Sequence, residues 1–497
     1  MTTLWHHLPE LQAEIRPDAP AVSDTTGAQW SWADLSEAIS DLEVKLREEG
    51  VTSGDRVLLL TENCAAAIAA LFACSRLGAA VIPFNARQTA AEVDRVIAHA
   101  TPAAILMTST VSQDAARHAE RLGACTIDGR FGTLDRVRRA SDPDGNGDVA
   151  VVLYTTGTTG DPKGVMLTHS NLLFGGKASA TLREMSSDDV IYGVLPISHV
   201  FGLASVVTAA AHTGASIRFE PRFSADRLYA ALTSGVTLLS AVPQMHALLM
   251  QYTREQGFDR LPSDTLRYVS SGAAPLDPTW KRQAEAFYGV ALQNGYGMTE
   301  TTAGVSITQS KIGDPDISTG PPLPGVELRI DETIEGGGDG SGEVLVRGPH
   351  VMKGYFRNPT ETEKAIDSDG WLHTGDLGCL DEAGRLHILG RSKELIIHGG
   401  FNVYPPEVEA ALNDHPQVIQ AAVIGRMIDG DEKVMAFCQV PEDADVTADE
   451  LRAFVAERLT GYKRPSQIIL AKSLPAAPTG KILKHKLLDA FADQLDG

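Results

Sequence analysis

The chain has 497 residues, too many for one ordinary core and enough for two or three domains. Hydrophobic residues make up 43% and charged residues 22%, the balance of a folded globular protein, which excludes a disordered one. A formal net charge of −21 argues against any general attraction to nucleic acid.

Along the first third, helical and strand-like patterns alternate. Residues 34–49 predict an amphipathic helix, 56–60 a strand, 65–77 an alanine-rich helix, and 79–83 and 103–107 short buried strands. Such alternation implies a mainly parallel sheet with helices on its faces. After an Asp- and Gly-rich loop at 141–148, the apolar run 149–154 reads as another buried strand.

From Tyr192 to Ile217 there is no Asp, Glu, Lys or Arg, a length that could cross a bilayer. Pro196, Ser198, His199, Gly202, His212, Thr213 and Gly214 interrupt it, so a strand, a turn and a buried helix beside an apolar pocket explain it better. Strands are predicted at 326–330 and 343–347, joined by a glycine-rich loop at 335–340 without phosphate-binding spacing. The last hundred residues have their own α/β pattern. It comprises a helix at 407–412, strands at 418–424 and 434–440, a helix capped by Thr447 with Glu450 and ending near Leu459, a strand at 468–470, and a final helix at 482–488.

From Arg458 to Lys486 seven basic residues occur with no acidic one, either a solvated face or a local phosphate site. Cys64, Cys74, Cys125, Cys379 and Cys438 lack metal-ligand spacing and read as reduced, mostly buried thiols of a cytoplasmic protein. Residues 1–7 show no basic stretch followed by an apolar run, so no signal peptide is expected.

Chemistry concentrates in Tyr154-Thr155-Thr156-Gly157-Thr158-Thr159-Gly160-Asp161-Pro162-Lys163-Gly164. It follows a buried strand, where a loop can turn backbone N–H groups toward an anion; threonine hydroxyls add donors and Lys163 a charge. The spacing is not that of a Walker A loop.

With this motif the sequence resembles the adenylate-forming superfamily, in its acyl-CoA synthetase or acid–thiol ligase branch. The resemblance covers nearly the whole chain. Its further motifs follow in order: Leu195-Pro196-Ile197-Ser198-His199, Ser271-Gly272-Ala273-Ala274-Pro275-Leu276, Gly295-Tyr296-Gly297-Met298-Thr299-Glu300, Gly370-Trp371-Leu372-His373-Thr374-Gly375-Asp376, Gly390-Arg391-Ser392-Lys393-Glu394, Gly399-Gly400-Phe401-Asn402-Val403-Tyr404-Pro405 and Thr479-Gly480-Lys481-Ile482.

The resemblance implies an α/β fold. A large N-terminal domain (1–391) would hold layered, mainly parallel sheets, helices and a small β-structure. A small mobile α+β C-terminal domain (392–497) would follow a hinge near Lys393. It also implies nucleotide binding by Thr155, Thr156, Gly157, Thr158, Thr159, Lys163, Gly272, Ala273, Ala274, Asn294, Gly295, Tyr296, Gly297, Thr299, Asp376, Arg391 and Lys481. Tyr296 would stack on adenine, Asp376 would accept the ribose hydroxyls, Thr299 would reach the α-phosphate and Glu300 would help hold Mg2+. Lys481 would bridge the attacking carboxylate and the α-phosphate.

His199 would gate or position the acid, in a pocket with Val200, Phe201, Gly295 and Gly304, while Gly399, Gly400 and Phe401 would line the CoA channel. ATP and CoA are the implied co-substrates. Gly399 stands where luciferases carry a lysine, which makes oxygenase chemistry improbable, and Lys393 stands where several relatives use aspartate. An uncharged pocket segment suits neither an amino acid, whose ammonium needs a counter-charge, nor a dicarboxylate. A hydrophobic monocarboxylic acid (fatty, aromatic or polycyclic) fits it. Loading of an acyl carrier protein and membrane-associated fatty-acid uptake are the alternatives.

Overall fold

The computed structural model describes residues 3–145, 147–155, 162–272, 276–334, 337–399, 401–428, 431–442, 444–476 and 482–495. Two eight-stranded sheets carry the larger part of the chain. At the centre of the first, Val149–Thr155, Ala80–Asn85, Arg56–Thr61 and Ala104–Met107 run parallel in that order. Antiparallel strands close its edges, Lys163–Thr168 and Gly354–Tyr355 on one side, Gly132–Arg138 and Cys125–Gly129 on the other. In the second, Leu292–Tyr296, Tyr268–Ser271, Leu238–Ala241, Val190–Gly193, Ser216–Phe219 and Pro20–Ser23 run parallel, with short antiparallel strands at both ends.

Residues 56–61 have no polar alternation because both faces of their strand are covered. Val57 and Leu59 point into one core, Leu58 and Leu60 into another. The helix Ala65–Leu77 lies in the core that joins both sheets and is buried at every position except Ala66 and Arg76. Its small side chains allow that close approach; an amphipathic helix would expose one face.

A four-stranded antiparallel sheet follows, in the order Glu327–Asp331, Ser341–Arg347, Leu372–Leu380, Leu386–Arg391. Beyond it, Gln420–Ile428, Asp431–Gln439 and Gln467–Ala471 form a separate three-stranded sheet. The helices Pro405–Asn413 and Ala448–Ala456 bury Val408, Leu412, Leu451 and Val455 in its core.

The capping box of Thr447 and Glu450 forms as the sequence predicts. Its helix stops at Ala456, short of Leu459, where the Arg464 guanidinium donates to the Ala456 and Leu459 carbonyls. The final helix expected over 482–488 does not form. Ile482 makes an antiparallel bridge with Ala476 and Leu483 N–H donates to the Pro475 carbonyl, so only short turns at Lys484–Lys486 and Leu487–Ala490 follow.

The uncharged segment is a strand, a turn and a helix whose middle, Leu203–Thr208, is wound as a π-helix. The Thr208 hydroxyl, which donates to the Leu203 carbonyl and accepts from Trp5 Nε1, occupies the widened turn. No helix among the described residues is long and apolar enough to cross a membrane. All five cysteines are free; Cys64, Cys74 and Cys438 are buried, whereas Cys125 is exposed.

Candidate active site

The antiparallel strands Val149–Thr155 and Lys163–Thr168 pair Thr155 with Lys163, bringing together the two ends of the Thr/Gly loop. Thr156, Gly157, Thr158, Thr159, Ala273, Ala274, Gly400 and Lys481 lie outside the described residues. Lys163 Nζ donates to Glu361 Oε2 at 2.6 Å and lies 5.3 Å from the Tyr355 ring centroid. Hydrogen bonds from Lys163 and then Lys364 hold the Glu361 carboxyl down to about 2.

Tyr296 ends one strand of the second sheet, and Asp376 lies in the antiparallel sheet. They meet: Tyr296 Oη donates to Asp376 Oδ2 at 2.5 Å. Register explains the third member, since Asp376 and Arg391 are cross-strand partners. Arg391 Nε sits 3.1 Å from Asp376 Oδ1. Burial first, then the Asp376 carboxylate, raises the Tyr296 phenol well above its usual range.

Thr299 and Glu300 form a buried 3-10 turn directly after that strand. Tyr355 Oη donates to Glu300 Oε1 at 2.9 Å, and Met352 N–H donates to the Glu300 carbonyl. The turn leaves through Thr302 (φ 49°) and Ala303 (φ 76°), both left-handed without being glycine. Gly297 is required here, because a Cβ on it would stand 2.1 Å from the Ala303 carbonyl oxygen. Such strain at a turn that presents a carboxylate marks a site whose surroundings hold it in place.

Phe201 lies against Gly272, where a Cβ would come within 2.9 Å of its ring. Gly304 has Leu323 at similarly close range. His199 is exposed, and its Nδ1 accepts from the Phe201 N–H at the start of the following turn. Val200, expected in the acid pocket, is buried in the core that joins the sheets. Asn294, expected at the nucleotide, donates its side-chain amide to the Ser318 carbonyl, and its backbone exchanges hydrogen bonds with Thr308. Gly295 pairs across the sheet edge with Ile307.

Lys393 is exposed on a short turn, Ser392–Glu394, that follows Arg391. Gly399 has φ 58° and donates its N–H to Asp431. Phe401, 55% exposed, stacks on Tyr462 at 4.6 Å. In the basic stretch, Lys463 pairs with Glu407, Lys484 with Glu394 and Glu409, and Lys472 caps carbonyls, so much of that charge is spent inside the protein. Sequence reasoning missed Tyr355, Glu361 and Tyr462. Their roles arise from contacts across 55 to 198 residues, and no local spacing signals such contacts.

A buried carboxylate on a fixed turn, a lysine at a Thr/Gly loop and an aromatic–carboxylate–arginine cluster between two sheets are groups whose chemistry suits a nucleotide and its metal. The chain belongs to the AMP-binding enzyme family: the family model matches residues 9–356, and that of the AMP-binding enzyme C-terminal domain matches residues 407–481. It is 33% identical to the 4-coumarate–CoA ligase 3 of Oryza sativa subsp. japonica, covering 98% of this chain and 91% of the relative. It is also 33% identical to a feruloyl-CoA synthase of Amycolatopsis sp, covering 97% and 98%. The o-succinylbenzoate coenzyme A synthetase of Bacillus subtilis, solved with ATP and magnesium ion, matches with a TM-score of 0.81 and 28% identity over 97% of this chain and 98% of that one. The protein is therefore an AMP-forming acyl-CoA synthetase of the adenylate-forming superfamily.

Proposed function

We propose that the acid is a hydrophobic monocarboxylic acid, with aryl acids of the hydroxycinnamate kind ahead of fatty acids. The observation that carries this reading is the uncharged segment from Tyr192 to Ile217, which delivers Phe201 against Gly272. A second carboxylate or an ammonium buried there would lack a counter-charge, at a cost of several kcal/mol (~2–7 even for a neutral polar group). The names of two relatives, a 4-coumarate–CoA ligase and a feruloyl-CoA synthase, support the aryl choice.

In this reading the acid's carboxylate oxygen attacks the α-phosphorus of ATP and the bond to pyrophosphate breaks. The thiolate of CoA then attacks the carbonyl carbon of the acyl-adenylate and the bond to AMP breaks. Tyr296 offers its ring to adenine, Asp376 and Arg391 take the ribose, and Thr299 and Lys163 serve the phosphates. Glu300 would hold magnesium in part, and the bound ion would supply charge neutralisation on the phosphates. Glu300 fits that group: its carboxylate is buried, acceptor-only and anchored through one oxygen. Lys481 neutralises charge between carboxylate and α-phosphate. Residues 1–391 and 392–497 act as two domains about Lys393, since the Lys481 region and the Gly399–Phe401 hairpin serve different steps.

The test is an AMP-release assay over coumaric, ferulic, benzoic, medium- and long-chain fatty, dicarboxylic and amino acids, with CoA as thiol. AMP and pyrophosphate are expected in equal amounts, fastest with the aryl acids. ADP as product, or turnover only with dicarboxylic or amino acids, would overturn the reading.

A further inference from the structure

We propose that Tyr355 is a positioning residue for the metal and phosphate site, holding Glu300 with its hydroxyl and Lys163 with its ring. The inference rests on the reading of Glu300 as a magnesium ligand, and goes beyond it by naming what aims that carboxylate.

Tyr355 lies in the two-residue strand Gly354–Tyr355 at the edge of the first sheet, paired with Val165 just past Lys163. That register places its side chain between two elements distant in sequence. On one side its hydroxyl donates to Glu300 Oε1 in a buried contact of 2.9 Å. Among the described residues Glu300 Oε2 accepts no hydrogen bond, so one oxygen is fixed and the other is left for a cation. On the other side the Lys163 ammonium stands 5.3 Å from the ring centroid, within cation–π reach. The backbone tightens the same unit: Met352 N–H donates to the Glu300 carbonyl, and Tyr355 N–H donates to Thr362 Oγ1.

A metal-ligating carboxylate gains from such an outer partner because the ligand no longer searches rotamers when the cation arrives. Partners of this kind commonly change metal affinity by roughly 10–100-fold when removed. The two functions separate chemically. Tyr355→Phe removes the hydroxyl and keeps the buried ring, whereas Tyr355→Leu removes both.

The experiment titrates Mn2+ into protein saturated with α,β-methylene-ATP, reading free Mn2+ by electron paramagnetic resonance. Affinity for the same nucleotide is measured separately in EDTA by calorimetry, and thermal melting checks folding. Tyr355→Phe is expected to weaken Mn2+ binding roughly 10-fold or more, with metal-free nucleotide affinity unchanged within about twofold. Tyr355→Leu is expected to weaken both, and Glu300→Gln to weaken Mn2+ binding. In the Glu300→Gln, Tyr355→Phe double variant the two losses should not add, because they act on one carboxylate.

If Glu300→Gln weakens Mn2+ binding and Tyr355→Phe does not, the inference fails and the reading of Glu300 stands. If neither does, Glu300 is no ligand and both fall. Equal loss of nucleotide affinity with and without metal in Tyr355→Phe would assign the tyrosine a packing role only, and would also overturn the inference.

Discussion

Asp376 is 5% exposed and receives both the Tyr296 hydroxyl and the Arg391 guanidinium. A carboxylate can accept about four hydrogen bonds, so these two protein donors can fix its plane while ribose hydroxyls approach other lone pairs. A hydrogen bond to a charged group contributes about 1.5–3 kcal/mol, so Asp376→Ala should lower kcat/KM for ATP by roughly 10- to 100-fold. The loss should be smaller with 2′-deoxy-ATP, which has already given up one of the bonds. Steady-state kinetics with both nucleotides check this. Equal losses would mean that Asp376 acts only by holding Tyr296 and Arg391.

This cluster was legible as a list of residues in the motifs but not as an arrangement, because the pairing of Asp376 with Arg391 depends on a strand register that begins and ends elsewhere. For Asn294 and Val200 the motif alone does not say where the side chain faces. Their side chains face the Ser318 carbonyl and the inter-sheet core, and a one-residue shift along a strand or helix start exchanges a site face for a buried one.

At the scale of elements, the helix His169–Leu182 carries Gly175 and Gly176 in its middle, where glycine costs about 1 kcal/mol relative to alanine. Packing explains both. A Cβ on Gly176 would lie 2.4 Å from Thr208 Cγ2 in the π-helix, and one on Gly175 would lie 2.9 Å from the Thr302 carbonyl oxygen. Gly176→Ala should therefore destabilise by about 1–3 kcal/mol, the usual range for overpacking, despite its better helix propensity. A lower urea midpoint would show it, whereas a higher midpoint would mean that the π-helix can move aside.

The uncharged segment was readable as strand, turn and helix because charge and period are local. The π-turn was not, since Thr208 there meets Trp5, 203 residues away in sequence. The central strands were readable because continuous apolar runs of five or six residues are too short for a helix and fit a strand buried on both faces. The extended start of residues 482–488 was hidden for the opposite reason, a bridge to Ala476 that outweighs a good helical pattern.

Across the whole molecule, one contact joins the sheet-and-helix body to the C-terminal sheet unit through two like charges. Asp277 caps the helix Pro278–Tyr288 through the Trp280 N–H, and Asp414 follows the helix Pro405–Asn413. Burial first, and also the charge and hydrogen bond of Asp414, raise the Asp277 carboxyl; the N–H groups of Trp280 and Thr279 pull it the other way. Asp414 Oδ1 is itself buried without a hydrogen-bond donor. Two carboxylates in such contact repel when both are ionised.

Because the folded pKa of Asp277 is raised, the contact favours this seating of the C-terminal unit at pH below the unfolded value. That contribution is lost as pH rises through the folded one. Once both carboxyls are ionised the pair repels, which favours release of the unit, as the proposed alternation about Lys393 requires. Asp414→Asn supplies an amide donor in place of the repelling charge and should keep the unit seated as pH rises. Distances between spin labels on the two units, measured from about pH 3, below the ordinary carboxylate value, up to about pH 8, decide it. The natural protein should shift from a short to a longer distance with rising pH, and Asp414→Asn should stay short. Identical pH responses in the two would remove this pair from the control of domain seating.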